Sequence, residues 1–428
     1  MRKGLLILVS ASLISGCAPS FEPNSSLQRR LQPARQAEKL GDDATALQIY
    51  EDAAEDGSVY AQYRVAKMYE SGQGTEQDYA QAARWYAAAS EAGHPQATRA
   101  LAKLREQGQG VQRDDAAALA LYRESAAAGD LAAAVKVGQF LEQGRGTEPD
   151  PAAAAAYYRE AAEGGRFDGQ LALAKLYDTG KGVPSDPAEA ELWYATAAQA
   201  LTAAAEEGDA RAREEFGKLL VTGRGVPQDV ERGFALLEDA ARQGRASAQV
   251  QIGKLVAEGT DGVAPDPAAA ARYYTQAAQQ GNASAQYELA KLYAEGRGVP
   301  KDSARAAQLF QEAAAQGRVN AYSQLGDLYA SGDSDGIDQD YAAAIRWYDE
   351  AARHGDPRGL YKLGYAYEQG KGVKADPVRA LMWYSLASEQ GYEQAAARIE
   401  RVGGQLDPEQ RAQAEALAAD WRRDSGTP

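Results

Sequence analysis

Cysteine and histidine are almost absent from this chain of 428 residues, which holds one cysteine and two histidines. A single cysteine cannot build a disulfide framework, and so few thiols and imidazoles leave no zinc cluster. Basic residues are also in the minority, because 46 lysines and arginines stand against 61 aspartates and glutamates, for a formal net charge of −15. Such a chain lacks the broad basic face that nucleic-acid binding requires. We therefore expect no metal, no cofactor and no nucleic-acid partner.

Glycine, in contrast, is abundant and regularly spaced. One glycine closes each segment of 36 to 38 residues, with a single longer interval of 43. These closing positions are Gly57, Gly93, Gly129, Gly165, Gly208, Gly244, Gly281, Gly317, Gly355 and Gly391. Midway through each segment lies a glycine pair, as in Gly108/Gly110 and Gly296/Gly298. A period of this length predicts an all-α solenoid of stacked helix-turn-helix repeats.

The copy from Ala285 to Gly317 shows how one repeat is organised. Its first half has apolar residues at i, i+4, i+7 and i+8, one face of a helix: Ala285, Leu289, Leu292 and Tyr293. Glycines and a proline then end that helix, since glycine supplies positive φ and proline cannot continue a helix. Asp302 follows as the predicted N-cap of a second helix, which runs to the closing glycine.

An aspartate precedes the second helix in all nine full repeats. The set is Asp78, Asp114, Asp150, Asp186, Asp229, Asp266, Asp302, Asp340 and Asp376. Four of them are followed by proline, the residue favoured at the first helical position. Because these carboxylates lie a full repeat apart, the pattern indicates helix capping and not a metal or catalytic centre.

Flanking segments complete the predicted organisation. We expect an opening half-repeat cap over residues 27–57, nine repeats over 58–391, and a C-terminal half-repeat with a capping helix over 392–424. Asp407 and Gln410 have the spacing of a capping box at the start of that last helix. In the repeat that closes at Gly208, seven extra residues without a helix breaker predict a longer second helix.

The N-terminal segment Met1–Cys17 (MRKGLLILVSASLISGC) has a basic start and an apolar stretch too short to span a membrane as a mature helix. It resembles a bacterial lipoprotein signal with residues 13–17 as the lipobox. The resemblance implies removal of residues 1–16 and lipidation of Cys17, the chain's single cysteine. Residues 17–26 then form a flexible tether, and Ala18 implies sorting to the periplasmic face of a Gram-negative outer membrane. An ordinary secretory leader is the alternative.

The pattern A-x3-L-[AG]-x-[LM]-Y-x2-G-x-G-x3-D-x6-W-Y-x2-A-x3-G resembles the SEL-one-like repeat, a tetratricopeptide-related class. The resemblance covers roughly Leu27–Trp421 and implies a right-handed superhelix with a concave face for protein partners. Together with a lipobox, it is similar to the outer-membrane scaffold lipoproteins of alginate and related exopolysaccharide export. That similarity implies a β-barrel exporter and periplasmic secretion components as partners, and a membrane contact through the lipid.

A column of basic residues supplies the candidate partner-binding positions. In six of the nine repeats a lysine lies near the end of the first helix, opposite the core stripe: Lys67, Lys103, Lys175, Lys218, Lys254 and Lys291. In a solenoid they predict a lysine track for carboxylates of a polymer or protein. The alternative is ordinary i,i+3 surface pairs, such as Lys67/Glu70, Lys103/Glu106 and Lys175/Asp178. Expected on the same exposed side are Tyr63, Tyr287 and Tyr361, candidate anchors for a protein partner.

Other residue types point away from catalysis. Paired aromatics such as Trp85-Tyr86 and Trp383-Tyr384 recur at one point of the second helix, which favours packing between helices over carbohydrate stacking. His94 and His354 flank closing glycines and are expected on turn surfaces. Because no nucleophile or base has a spacing that ties it to either histidine, we expect no enzyme and no catalytic residue. A cell-wall or β-lactam hydrolase is disfavoured, since relatives linked to such activity carry a disulfide in each repeat.

Two functions remain from this sequence. The favoured one is a non-enzymatic scaffold, lipid-anchored at the outer membrane, that organises an exopolysaccharide secretion complex. The alternative within the same class is a lipoprotein adaptor for envelope signalling or for contact with host proteins.

Overall fold

The computed structural model describes residues 25–260, 262–333 and 336–425. The predicted leader, Cys17 and residues 18–24 of the predicted tether lie outside these ranges. Within them the chain forms twenty-two α-helices, and two isolated β-bridges close two loops. The predicted all-α repeat solenoid is confirmed. In the part that the structure describes, no helix has both the length and the apolar character needed to cross a membrane.

The chain divides into two compact units, with the boundary inside the tenth helix. The first unit, residues 1–200 and 224–226, contains α1 (Ser25–Leu40), α2 (Asp43–Glu55), α3 (Val59–Ser71), α4 (Tyr79–Glu91), α5 (Pro95–Gln107), α6 (Asp115–Ala127), α7 (Leu131–Gln143), α8 (Pro151–Glu163), α9 (Phe167–Thr179) and the first part of α10 (Pro187–Glu206). Helix α1 begins at Ser25, so the last two residues of the predicted tether are helical.

The second unit, residues 201–223 and 227–428, contains the rest of α10 and twelve further helices. These are α11 (Ala210–Thr222), α12 (Val230–Arg242), α13 (Ala246–Glu258), α14 (Pro267–Gln279), α15 (Ala283–Glu295), α16 (Ser303–Ala315), α17 (Asn320–Ser331), α18 (Tyr341–Arg353), α19 (Pro357–Gln369), α20 (Pro377–Glu389), α21 (Gln394–Gly403) and α22 (Pro408–Ser425). Helix α10 has 20 residues where α8 and α12 have 13, as its seven extra residues predicted.

The helix pair α15–α16 shows how the repeat forms. The Asn282 side chain accepts a hydrogen bond from the Ala285 N–H at 3.0 Å and caps α15. At the other end Gly296, with φ +70°, closes the helix in the left-handed conformation. Leu289 and Leu292 of α15 and Phe310 of α16 belong to one apolar core and are almost fully buried. Most of the stability of such short helices comes from burying this core and not from intrinsic propensity.

Every predicted aspartate cap forms. In all nine second helices the aspartate carboxylate accepts a backbone N–H from the first helical turn, at 2.8 to 3.1 Å. These bonds satisfy donors that have no partner within the helix, and the negative charge faces the positive end of the helix dipole. The aspartates are therefore used in folding.

In seven of the nine repeats, the second glycine of the mid-repeat pair is required by a close approach between repeats. A Cβ atom on Gly110 would lie 2.2 Å from the backbone carbon of Tyr79, the first residue of α4 in the preceding repeat. The same contact with preceding backbone, under 3 Å, occurs at Gly74, Gly146, Gly182, Gly225, Gly298 and Gly372. The loop of one repeat therefore rests directly on the backbone of its predecessor.

The last helix closes the C-terminal end of the second unit. The Asp407 N–H donates to Gln410 at 3.1 Å while the Gln410 N–H donates to Asp407 at 2.8 Å, so both bonds of the predicted capping box form. Ala414 and Ala418 are buried. Trp421 meets Trp383 of α20 edge to face, with ring centroids 5.5 Å apart. Helix α22 thus covers apolar surface that another repeat would otherwise cover.

Two glycine substitutions distinguish the close approach of Gly110 to the preceding repeat from the strain of positive φ. Gly110→Ala is expected to cost about 3 kcal/mol or more, because it adds overpacking to the strain of positive φ. Gly93→Ala is the matched control, since Gly93 also has positive φ but its Cβ would meet nothing within 4 Å. We expect it to cost only about 1–2 kcal/mol. Urea unfolding followed by circular dichroism measures both, and equal losses would contradict the inter-repeat contact.

Candidate partner-binding clefts between repeats

A buried tyrosine in the second helix is hydrogen-bonded to an acid at the end of the first helix of the same repeat. The Tyr122 hydroxyl donates to the Glu106 carboxylate at 2.7 Å, and its ring is buried. Equivalent bonds of 2.6 to 3.1 Å are Tyr86–Glu70, Tyr158–Glu142, Tyr348–Asp327 and Tyr384–Glu368. We call Glu70, Glu106, Glu142, Asp327 and Glu368 the linking carboxylates.

Each linking carboxylate also binds a basic residue of the following repeat. Glu106 pairs with Lys136 at 3.3 Å and with Arg145 at 2.8 Å. The corresponding pairs are Glu70–Lys103 at 2.9 Å, Glu142–Lys181 at 3.3 Å, Asp327–Lys362 at 2.7 Å and Glu368–Arg398 at 3.1 Å. One acid therefore joins the two helices of its own repeat and connects them to the next repeat.

The electrostatics of Glu106 and Tyr122 follow from this arrangement. Burial alone would raise the pKa of the Glu106 carboxyl, but the hydrogen bonds from Tyr122 and Arg145 and the charge of Lys136 outweigh it and lower that pKa. Burial and the hydrogen bond to Glu106 raise the pKa of the Tyr122 hydroxyl well above its ordinary value. The tyrosine therefore stays a neutral donor and the glutamate a charged acceptor throughout the physiological range.

The aromatic pairs pack between helices. Tyr158 lies so close to Gly138 of α7 that a Cβ there would be 2.5 Å from the tyrosine ring. The same ring-on-glycine contact occurs for Tyr274, Tyr348 and Tyr384, against Gly253, Gly326 and Gly364. This contact explains the Ala-or-Gly position of the repeat pattern. These buried rings are not available to stack on a carbohydrate.

Three of the six predicted lysines are neutralised by acids. Lys103 pairs with Glu70 of the preceding repeat. Lys218 pairs with Glu214 at 2.5 Å and with Glu215 at 3.0 Å, and Lys291 pairs with Glu288 at 3.0 Å. The described residues contain no ion pair of Lys67, Lys175 or Lys254. The i,i+3 pairs expected with Glu70, Glu106 and Asp178 are wrong, because those acids bind the next repeat instead.

Three clefts lie at the register of this lysine column. One of about 390 Å³ in the first unit is lined by Lys67 beside Glu70 and Arg64. In the second unit, Lys254 and Lys291 line a cleft of about 280 Å³. The third, of about 390 Å³, is lined by Asp327 and Tyr365, which occupy the column position in α17 and α19. The second and third clefts lie between the first helices of successive repeats, and each has room for a partner side chain.

The three candidate tyrosines participate in packing between repeats. Tyr287 is only 7% exposed, so its expected exposure is wrong: Phe310 of its own repeat meets it edge to face at 5.5 Å, and Arg318, after the closing glycine, lies 5.0 Å from its ring centroid. Tyr63 and Tyr361 are half-buried. Tyr63 stacks on His94 of the next helix pair, with centroids 4.6 Å apart, and Tyr361 packs on Tyr384 and Tyr392, 5.3 and 5.0 Å away. The following repeat covers this side of the first helix.

The two histidines differ, and the expectation for one is wrong. His94 is 5% exposed, and its Nδ1 accepts the Ala97 N–H at 3.3 Å as the N-cap of α5. His354 is exposed, as expected, and lies parallel to Tyr322 with centroids 5.0 Å apart. The signal for His94 was its alignment with the caps of other first helices, Ser58, Asp130 and Asn282.

A model of the Sel1 repeat matches nine consecutive segments: residues 59–94, 95–130, 131–165, 168–200, 216–244, 246–282, 283–317, 319–356 and 357–392. The chain belongs to the Sel1 repeat family. The predicted SEL-one-like resemblance is thereby confirmed. Sel1-repeat proteins generally act as scaffolds for protein–protein interaction and are typically not enzymes.

Solved structures of other Sel1 repeat proteins are similar to this chain. The protective antigen c5321 of uropathogenic Escherichia coli is 27% identical, covers 92% of this chain and 94% of its own, and has a TM-score of 0.39. A Sel1 repeat protein from Oxalobacter formigenes is 29% identical over 58% of this chain and 99% of its own, with a TM-score of 0.48. No curated protein matches the chain.

The linking carboxylate can be tested by a charge-matched pair of variants. Glu106→Gln is expected to destabilise the chain by about 2–4 kcal/mol, because it weakens the bonds from Tyr122 and leaves Arg145 and Lys136 less well paired. Glu148→Gln removes the same charge from an exposed loop position and is expected to change stability by less than about 0.5 kcal/mol. Urea unfolding compares the two, and similar values would show that the buried contacts contribute little.

His94 makes stability depend on pH. Burial lowers the pKa of its imidazole below the ordinary value of 6.5. The unfolded chain then binds more protons, so the contribution of His94 is complete above about pH 6.5 and is lost as pH falls through the folded pKa. The control His94→Asn keeps a cap that does not titrate, as Asn282 does in α15. Between about pH 7.5 and 5.5 the wild-type Tm should fall further than that of the variant. Parallel decreases would contradict this role.

Proposed function

We propose that this protein is a non-enzymatic scaffold, attached by lipid on Cys17 to the periplasmic face of a Gram-negative outer membrane. There it organises an exopolysaccharide secretion complex of the alginate type. The observation that carries the proposal is the lipobox-like sequence Leu13–Cys17, ending at the chain's single cysteine, ahead of nine Sel1 repeats. A lipid anchor and an array of interaction repeats together suit a protein that holds others at a membrane surface.

The repeated clefts support the scaffold part of the proposal. Two of the three, those lined by Lys254 and by Asp327, lie between neighbouring repeats of the second unit, whereas the cleft at Lys67 lies along α3 and the loop that follows it. A partner that inserts side chains into more than one cleft gains affinity through linkage, without requiring strong binding at any single cleft. Such an arrangement suits assembly around an exporter, where several weak contacts with different components are made together. We propose a β-barrel exporter and periplasmic secretion components as these partners.

The anchor is tested by Cys17→Ala in the full chain, expressed in a Gram-negative host with an alkyne-bearing fatty acid. The wild type is expected to incorporate the label and to fractionate with the outer membrane, whereas Cys17→Ala incorporates none and leaves that fraction. Ala18→Asp serves as the control for sorting, because it keeps the thiol and should retain the label while moving the protein to the inner membrane. Equal labelling of wild type and Cys17→Ala would disprove the anchor.

The same strains test the secretion role. Photo-activated cross-linkers placed at Lys67 and Lys254 are expected to capture a β-barrel exporter in cells that make the exopolysaccharide, and removal of the gene should reduce the exported polymer. Cross-links to sensor or host proteins, with polymer export unchanged, would favour the adaptor function instead.

A further inference from the structure

In four repeats the residue between the two mid-repeat glycines is basic and is paired with an acid. Arg145 is the fullest example, since it binds the linking carboxylate Glu106 at 2.8 Å and Asp115, the first residue of α6, at 2.9 Å. The other three pairs are Lys181 with Glu142, Arg224 with Glu191 and Arg297 with Glu295. A carboxylate is thus the ordinary partner of this loop cation.

Lys371 occupies the same position, between Gly370 and Gly372, but lacks such a partner. It forms no ion pair within residues 25–260, 262–333 and 336–425. Its ammonium group instead lies over two tyrosine rings, 5.4 Å from the centroid of Tyr341 and 5.5 Å from that of Tyr365. Cation–π contacts of this kind are weaker than a charge-assisted hydrogen bond, so a carboxylate competes with them effectively.

Substitutions in two neighbouring repeats remove the acids that would neutralise Lys371. Ala330, the next-to-last residue of α17, stands where α5 has Glu106. Tyr341, the first residue of α18, stands where α6 has Asp115. The last residue of α19 is Gln369, whereas the corresponding residue of α15 is Glu295. Glu191, the partner of Arg224, is the fifth residue of α10, and the fifth residue of α18 is Ile345. Each position from which a carboxylate neutralises a loop cation in another repeat is therefore occupied by a non-acidic residue around Lys371.

The nearby carboxylate of Asp327 is already fully engaged. It lies one turn earlier in α17, at the lysine-column position, and accepts the Tyr348 hydroxyl at 2.7 Å. Lys362 pairs with it at 2.7 Å, and Arg358 also donates to it. Asp327 therefore takes over the role of linking carboxylate from Ala330. The short side chain of Ala330 leaves open space where four other repeats place a glutamate, namely Glu70, Glu106, Glu142 and Glu368.

That space is the cleft of about 390 Å³ bounded by α17, α18 and α19. Its aliphatic wall is made by Ala330, Ala344, Ile345 and Ala366, and the rest of the lining is three tyrosine rings and the polar residues Asp327, Ser331, Lys362 and Lys371. Lys362 is neutralised by Asp327, so the unpaired charge at this cleft is the ammonium of Lys371. The cleft consequently combines an apolar lining with one uncompensated positive charge.

We propose that this cleft binds an acidic peptide segment of a partner protein, with an apolar side chain in the cleft and a neighbouring carboxylate paired with Lys371. The proposal rests on the scaffold function proposed above but not on the lipid anchor. Charge complementarity selects the carboxylate, because equivalent loop cations of this chain bind carboxylates. A polysaccharide fits less well, since the aliphatic wall offers no hydrogen bonds and Lys371 covers the faces of Tyr341 and Tyr365.

A library of displayed random nonapeptides, selected on the purified full chain, provides the probe. The expected consensus is Asp or Glu beside Leu, Ile, Val or Phe. A synthetic peptide of that consensus should bind at least about tenfold more weakly to Lys371→Met, which keeps the aliphatic stem but loses the charge. Lys181→Met is the matched control, because Lys181 has the same loop position in a repeat where Glu142 pairs with it, and it should bind as the wild type does.

A second variant tests the proposal with Lys371 intact. Ala330→Glu restores the acid found in other repeats, fills the cleft and pairs with Lys371 internally, so peptide binding should be lost while the far-ultraviolet circular dichroism is unchanged. Affinity should also fall between about 0.05 M and 0.5 M salt. Selection of basic peptides, no enriched consensus, equal binding by Lys371→Met, or binding of oligouronates in competition with the peptide would each overturn the proposal. None of these results bears on lipidation, which is tested separately through Cys17.

Discussion

In five of the nine repeats, packing on the next repeat depends on one shared carboxylate near the end of the first helix. In Glu106 it accepts a buried tyrosine hydroxyl from its own repeat and two cationic side chains from the next. A half-buried charge of this kind is tolerated only when donors surround it, and removing any member leaves the others poorly paired. Neighbouring repeats are therefore coupled through a polar contact as well as through apolar burial, which matches the nearest-neighbour energetics of solenoids.

Steric and electrostatic contacts reinforce each other at this junction. The loop that rests on the preceding backbone through Gly146 also carries Arg145 to the linking carboxylate Glu106. A larger residue at Gly146 would push the loop away and break the ion pair at the same time. The glycine pair thus does more than end a helix. It also brings the loop cation close enough to form an ion pair with the linking carboxylate of the preceding repeat.

Local features were predictable from the sequence, and contacts between repeats were not. The nine aspartate caps and the Asp407–Gln410 capping box depend on residues two or three apart, so spacing alone indicates them. Lys103 pairs with Glu70 of the preceding repeat. Spacing along the chain favours Glu106 instead, because it lies only three residues from Lys103. The predicted exposure of Tyr287 and His94 was wrong for the same reason. Arg318 of the following repeat lies over Tyr287, and Tyr63 of the preceding repeat stacks on His94. The tyrosine–glutamate bond joins residues sixteen apart in four repeats, and this recurring spacing is the one sequence feature that could have predicted it.

Binding capacity arises where a repeat departs from this pattern. A repeat that keeps its glutamate, its tyrosine and its loop cation consumes all three in stacking, as Glu106, Tyr122 and Arg145 do. In the repeat of α17 and α18, Ala330 occupies the position of the glutamate, and the Tyr348 hydroxyl donates instead to Asp327, one turn earlier. The fold is preserved, since the buried hydroxyl still has an acceptor. The ammonium of Lys371 is left without a carboxylate, and a cleft remains beside Ala330. Family membership therefore explains the architecture. Specificity for a partner has to come from individual substitutions such as Ala330, Tyr341 and Gln369, which determine the side chains and clefts that the stacking of repeats does not use.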